Sequence, residues 1–141
     1  MAPKGQSWRF DDIPLGYVHM FGASALTRDD IALFHDRFGP YLPQQSGAIE
    51  GQPAAQGHVF ALWSRMVFEE TKDWPILARL GQDALRWYRT AQAGDVLSVK
   101  LTFLTKEPVN DQRGIIIVNH DVLNQNGDLV MSLLTRSVYA R

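Results

Sequence analysis

Two side chains near the middle of the chain could move protons. His58 lies in QGHVF at the start of a predicted helix, and Glu50 lies in the Pro-, Gly- and Gln-rich segment before it. A helix N-terminus favours the neutral form of a histidine, which suits a general base. A loop carboxylate can act as an acid or a base. The structural alternatives are a helix-start histidine bonded to the loop and a solvated carboxylate, and both interpretations stay open.

Other catalytic and metal chemistry is not indicated. The four histidines have no metal-ligand spacing, and the absence of cysteine excludes disulfides and thiolate sites. No phosphate loop or nucleophile elbow is present. His120 shares an apolar strand face and is predicted to be a core or interface residue, whereas His35 and Asp36 are predicted to face solvent. No metal or other cofactor is expected.

Length and charge predict one ordinary globular domain over residues 1–141. The formal net charge is -1, with 45% hydrophobic and 21% charged residues. This balance does not favour nucleic acid or an anionic membrane surface as a partner. The apolar runs are shorter than the roughly 20 residues that a bilayer span needs, and no secretory signal is indicated. We expect a cytoplasmic protein.

The first half of the chain reads as mainly helical. A strand in GYVHMFGASALT precedes a helix that Thr27 caps and that Gly39-Pro40 ends. Ile31, Phe34 and Phe38 have the helical spacing of an inner face. A second helix, GHVFALWSRMVFEET, is apolar around most of its circumference, which is typical of a buried helix.

The second half reads as strands. ALRWYRTAQAGD ends at a turn, VLSVKLTFL alternates between two faces, and two further strands flank Asn126-Gly127, a strong hairpin signal. Trp63, Phe60 and Phe103 would either fill the core or line a channel. Together these elements predict an α+β domain in which one long buried helix is wrapped by a curved antiparallel sheet.

Several phrases of the sequence, taken in order, resemble the MaoC-like hydratase/dehydratase family. These are FDDIPLG, LTRDDIALFHDRFGP, LRWYRTAQAGDVLSVKLTFL and VLNQNGDLVMSLLTRSVYAR. The resemblance covers nearly the whole chain and implies a hot-dog fold. It also implies hydration or dehydration of an enoyl or 3-hydroxyacyl thioester of coenzyme A or an acyl carrier protein. A homodimer or higher hot-dog oligomer is implied as well, and an open sheet edge agrees with pairing.

The family's catalytic aspartate and histidine have no counterpart in FHDRFGPYLPQQ. In one alignment the two positions hold Gly39 and Gln44; shifted by one residue, they hold Pro40 and Gln45. None of these side chains can act as a base near neutral pH. They stay candidate substrate-binding residues together with Gly57, because the amides of Gly57 and His58 could meet a thioester carbonyl at the start of the buried helix.

Two functions are therefore open. In the first, the protein is a hydro-lyase in which His58 or Glu50 supplies the proton transfer. In the second, it is a non-catalytic acyl-thioester binder or the structural partner of a heteromeric hydratase. Arg86, Arg89 and Lys106 are candidate contacts for the phosphates of coenzyme A.

Overall fold

The computed structural model describes residues 6–39 and 52–141 of the chain. Two helices and five strands follow one another in the order β1 (Val18–Ala25), α1 (Arg28–Phe38), α2 (Gln56–Thr71), β2 (Ile76–Trp87), β3 (Val96–Pro108), β4 (Arg113–Leu123) and β5 (Leu129–Ala140). No helix in these two ranges is long and apolar enough to cross a membrane.

All paired strands are antiparallel, in the order β1-β3-β4-β5-β2. The predicted hairpin between β4 and β5 is present. The Gly127 N–H donates to the Asn124 carbonyl at 3.0 Å. Gly127 has a φ of 79°, a left-handed conformation that glycine adopts without steric cost. The sheet is therefore a meander of β3, β4 and β5, flanked by β1 at one edge and β2 at the other.

Strand β2 is longer than the sequence pattern predicts. The pattern indicated a strand from Ala84, whereas β2 begins at Ile76. Every residue of β2 between its two ends is exposed, and its register against β5 is irregular at three places. Ala84 has a φ of 53° at one of them. Because neither face of this edge strand is buried within the chain, the strand lacks the apolar alternation that identifies a half-buried strand.

Helix α2 packs one side against β1 and β3. Its buried side chains include Val59, Trp63 and Val67, at the i, i+4 and i+8 positions of one stripe. Phe103 on β3 is fully buried and fills the core, where its ring lies near those of Trp8, Tyr17 and Trp74. The opposite side of α2 stays open, and Phe68 there is 64% exposed. One chain therefore covers only half of the helix that the sequence predicts to be buried.

Helix α1 begins as predicted, since the Thr27 hydroxyl accepts from the Asp30 N–H at 3.1 Å. Its inner face is different from the prediction. Ile31 and His35 are buried, whereas Phe38 is 62% exposed. His35 lies one turn after Ile31 and bonds the Pro53 carbonyl through Nε2 at 3.1 Å, so the prediction that His35 faces solvent is wrong. The last helical turn extends past the core, which leaves Phe38 outside it.

Candidate functional site

The candidate site lies where α1 ends and α2 begins. The described chain resumes at Gln52, just before α2. Four of the predicted site residues lie in residues 40–51, outside the described residues: Pro40, Gln44, Gln45 and Glu50. Their roles stay predictions. Gly39, Gly57 and His58 are described. Gly57 and His58 lie against Phe34 of α1, and Gly39 ends α1.

Gly39 ends α1 in a crowded position. It is buried, and its N–H donates to the His35 carbonyl at 2.9 Å. A β-carbon added here would lie 2.8 Å from Nδ1 of His35 and 3.1 Å from the His35 carbonyl oxygen. A side chain at position 39 therefore requires His35 or the helix end to move. The lack of a carboxylate here agrees with the local packing.

His58 is buried, at 7% exposure, and faces α1. Its ring stacks on Phe34 with the centroids 5.0 Å apart and the planes 6° from parallel. Burial lowers the pKa of His58, the charge of Asp30 partly opposes this, and His35 lowers the pKa further. The imidazole is therefore neutral near pH 7. Its Nδ1 is buried and has no hydrogen-bond partner among the described residues, which is unusual for a polar atom in a folded protein.

The amides at the start of α2 are not equivalent. The N–H of His58 donates to the Ala55 carbonyl at 3.0 Å. The N–H of Gly57 makes no hydrogen bond to another residue of the described chain, and Ala55 offers no side-chain cap. A β-carbon on Gly57 would lie 3.3 Å from the Phe34 ring, so this glycine also lets α1 approach α2 closely. Of the two predicted amide donors, only Gly57 remains available to a ligand.

A cavity of about 240 Å³ lies beside the start of α2. Its wall combines the first turn of the helix with the end of β2 and the residues after it: Ala54, Gln56, Val59, Trp87, Tyr88, Arg89, Thr90 and Ala91. The Ala54 N–H bonds the Ala91 carbonyl at 2.8 Å and holds the two walls together. Gly57 and His58 are not among the lining residues. The structure thus separates the imidazole of His58, which faces α1, from the cavity beside β2.

Two of the predicted phosphate contacts can be located in detail. Arg89 lines this cavity and pairs with Asp128 through Nη1 at 3.1 Å, while its side chain stays half exposed. Lys106 donates to the Ile13 carbonyl at 3.0 Å, and its ammonium lies 4.9 Å from the Phe10 ring centroid. Arg89 can reach a ligand at the start of α2, whereas Lys106 is held by the N-terminal segment.

Sequence reasoning missed Gln52. Both polar atoms of its side-chain amide are buried, and neither has a hydrogen-bond partner in residues 6–39 and 52–141. Gln52 directly follows residues 40–51 and precedes α2 by four residues. A glutamine in a segment rich in Pro, Gly and Gln carries no signal that separates it from its neighbours. Together with Nδ1 of His58, it gives this end of α2 three polar atoms that lack partners.

Comparison with proteins of known structure identifies the fold of this chain. The sequence matches no family profile and no curated protein. Many solved structures superpose on it, among them the following three. A MaoC-like dehydratase from Rhodospirillum rubrum is 23% identical, with a TM-score of 0.76 over 94% of this chain and 97% of that chain. The protein RV0216 from Mycobacterium tuberculosis, which has a double hotdog fold, is 17% identical, with a TM-score of 0.69 over 98% of this chain and 46% of that chain.

The third is the C-terminally truncated HadBC (3R-hydroxyacyl-ACP dehydratase) complex from Mycobacterium tuberculosis. It is 16% identical, with a TM-score of 0.61 over 88% of this chain and 96% of that chain. The chain has a hot-dog fold. The sequence prediction of an α+β hot-dog domain is confirmed, and the solved MaoC-like dehydratase shares this architecture.

The start of the hot-dog helix offers specific chemistry. The Gly57 N–H and the positive end of the helix dipole can hold an anionic or carbonyl oxygen. His58 and Gln52 add buried polar atoms that have no partner in the described part of the chain. No group of three metal-ligating side chains occurs in the part of the chain that the structure describes. The Gly57 N–H and the helix dipole can bind and polarise a carbonyl. Among the described residues at this helix start, the neutral imidazole of His58 is best suited to accept a proton.

Proposed function

We propose that the protein is a member of the MaoC-like hydratase/dehydratase family that binds enoyl or 3-hydroxyacyl thioesters of coenzyme A or an acyl carrier protein. The observation that carries this proposal is the Gly57 N–H at the start of the hot-dog helix. This donor makes no hydrogen bond within the described chain, and the preceding residue, Gln56, lines a cavity. The phrases of the sequence that resemble the family lie outside α2, on the segment before β1, on α1, and on strands β2 to β5.

The binding step follows from the electrostatics of the helix terminus. A thioester carbonyl oxygen placed on the Gly57 N–H would be stabilised by the hydrogen bond and by the helix dipole. Arg89 lines the cavity at that end and remains half exposed, so it suits a phosphate of the coenzyme or carrier. Arg86, one strand position before Trp87, stays a second candidate. These contacts bind and orient a thioester without any proton transfer.

The family's acid-base step lacks its usual groups. Position 39 is glycine and position 44 is glutamine, and the register shifted by one residue gives Pro40 and Gln45. Losing a general acid or base typically removes about 10²–10⁴-fold in rate. We therefore propose binding without turnover as the leading function.

A hydro-lyase with relocated chemistry is the second candidate. It is supported by His58, a neutral imidazole whose buried Nδ1 has no partner. Such a group can accept a proton from water. The segment that contains Glu50 directly precedes Gln52 and α2, and a carboxylate there would be the complementary acid or base.

A partner chain could instead supply the missing pair. One of the superposed structures is the complex of a 3R-hydroxyacyl-ACP dehydratase, and the exposed strand β2 offers an edge for pairing. Pairing two copies through this edge would give the homodimer that the family resemblance implies. Pairing with a different hot-dog chain would give the heteromer. A cytoplasmic location stays a prediction.

Turnover and binding of purified protein separate these functions. Crotonyl-CoA and longer enoyl-CoA substrates would be assayed for hydration, and binding of the same thioesters would be measured by calorimetry. Saturable binding without hydration supports the proposed binder. Hydration that His58→Ala abolishes and Gln44→Ala spares supports the relocated chemistry. The absence of both binding and hydration contradicts the proposed function.

A further inference from the structure

A second cavity lies farther along α2, away from the candidate site. Its volume is about 180 Å³. Trp63, Val67 and Thr71 line it from the helix, at one-turn intervals, and the first half of β2 lines it on one side. At about 30 Å³ for each water molecule, this volume holds roughly six. The cavity therefore has room for a small organic molecule of about that many non-hydrogen atoms.

A chain of hydrogen bonds with a fixed direction ends in this cavity. The Trp63 indole N–H donates to Nδ1 of His120 at 3.1 Å, and Nε2 of His120 lies 2.8 Å from the Thr135 hydroxyl. An indole N–H can only donate, so Nδ1 accepts and the ring proton sits on Nε2. Thr135 then accepts from His120 and keeps its own O–H proton available. Because Thr135 lines the cavity, its hydroxyl can donate to a ligand there.

The side chain of Arg79 brings a positive charge to the same space. Its Nη2 donates to the Thr71 hydroxyl at 2.8 Å. Arg79 forms no ion pair with any carboxylate of the described residues, and no Asp or Glu lines the cavity. Arg79 is an exposed residue of β2, and the five N–H donors of its guanidinium suit the geometry of a carboxylate or phosphate. The hydrogen-bond donors of Arg79 and Thr135 thus face a cavity that no carboxylate side chain lines.

The remaining wall is partly apolar and also includes the polar side chains of Gln82, Ser137 and Tyr139. Val67, Leu101 and Val118 lie on it, with the indole of Trp63 beside them. Such a wall favours a ligand with a hydrocarbon body, whereas inorganic anions are fully hydrated and gain nothing from it. Shape, charge and polarity therefore select an amphiphilic anion.

We propose that this cavity binds a short-chain aliphatic carboxylate, with the carboxylate accepting from Arg79 and Thr135 and about three methyl or methylene groups packed against Trp63 and Val118. Butyrate has this size and chemistry. The site lies between the second half of α2 and strands β2, β4 and β5. It does not depend on acyl-thioester binding at the start of the helix.

Calorimetric titration of the full chain with butyrate tests the site, with butyramide as the uncharged analogue and inorganic phosphate as an anion without a hydrocarbon body. We expect saturable butyrate binding and at least about tenfold weaker binding of both controls, because charge-assisted hydrogen bonds and apolar contact are both needed. No butyrate binding at millimolar concentrations overturns the proposal. So does butyramide or phosphate binding as tightly as butyrate.

Two arginine variants provide a matched comparison. Arg79→Gln removes the charge in the cavity. Arg136→Gln makes the same change between Thr135 and Ser137, where strand alternation directs the side chain to the opposite face of the sheet. We expect Arg79→Gln to weaken butyrate binding at least about tenfold and Arg136→Gln to leave it unchanged. Equal affinities in the two folded variants overturn the proposal. Thr135→Val is the second probe, and wild-type affinity in it contradicts the hydroxyl contact.

Discussion

The indole of Trp63 on α2 and the imidazole of His120 on β4 are joined by a hydrogen bond, with Nε1 3.1 Å from Nδ1. Trp63 is 3% exposed and His120 is 3% exposed. This contact ties the central helix to the middle of the sheet. It also explains why a histidine can occupy an apolar strand face: both ring nitrogens have partners, the second being the Thr135 hydroxyl at 2.8 Å.

Replacing Trp63 by Phe tests how much this hydrogen bond contributes to the free energy of unfolding. The variant keeps an aromatic ring but leaves Nδ1 of His120 buried without a donor, which costs about 1–3 kcal/mol, and the smaller ring adds a packing loss. We expect the free energy of unfolding, measured by urea denaturation, to fall by at least that amount. The double variant Trp63→Phe/His120→Leu should lose less than the sum of the two single losses. Strict additivity would show that the two rings are not coupled.

Burial of His120 makes stability depend on pH. Burial, with a smaller contribution from the charge of Arg79, lowers the pKa of His120 from 6.5 to about 3. The unfolded chain therefore binds this proton first as the pH falls below about 6.5. Between about pH 5.5 and 3.5 the free energy of unfolding should fall by about 1.4 kcal/mol per pH unit on account of this group alone.

The variant His120→Gln isolates this dependence. Denaturation of wild type and variant over the same pH range cancels the carboxylates and the other histidines, since these are common to both. We expect the difference in unfolding free energy to shrink steadily as the pH is lowered. Parallel pH curves for the two proteins would show that His120 does not carry the effect.

Gly39 offers a test of the scaffold next to the candidate site. Because a β-carbon would lie 2.8 Å from Nδ1 of His35, Gly39→Ala should lower the free energy of unfolding by about 1–3 kcal/mol. Gly81→Ala is the matched control, since nothing lies within 4 Å of a β-carbon there. Denaturant unfolding of both variants measures the contrast. Similar stabilities would mean that the end of α1 adjusts without cost.

The larger elements were predictable because their residues agree with their surroundings. The alternation in VLSVKLTFL marks β3, whose one face is buried, and Asn126-Gly127 marks the β4–β5 hairpin. Thr27 marks the start of α1, and its cap is present. In each case a local pattern and the tertiary fold demand the same residues.

The prediction failed where tertiary contacts decide the outcome. His35 is buried because the chain before α2 passes close enough for the Pro53 carbonyl to meet its Nε2, and no helical periodicity reports that approach. The first part of strand β2, before Ala84, escaped detection because both of its faces are exposed within one chain. Gly57 was predicted as an amide donor, and its free N–H follows from the position of a helix terminus. The buried amide of Gln52 gave no signal in the sequence.

The exposed edge of strand β2 predicts that two copies of the chain pair through it, and that a charged side chain introduced on this strand weakens the pairing. Leu85 on β2 and Leu104 on β3 are both 44% exposed, but only Leu85 lies on the edge strand. A lysine on an edge strand discourages pairing, and two copies would bring two like charges together. Light scattering over a dilution series should show a wild-type dimer that Leu85→Lys weakens by about tenfold or more, while Leu104→Lys does not. Equal weakening by both variants would place the contact away from the β2 edge, and a monomeric wild type at micromolar concentration would contradict the proposed dimer.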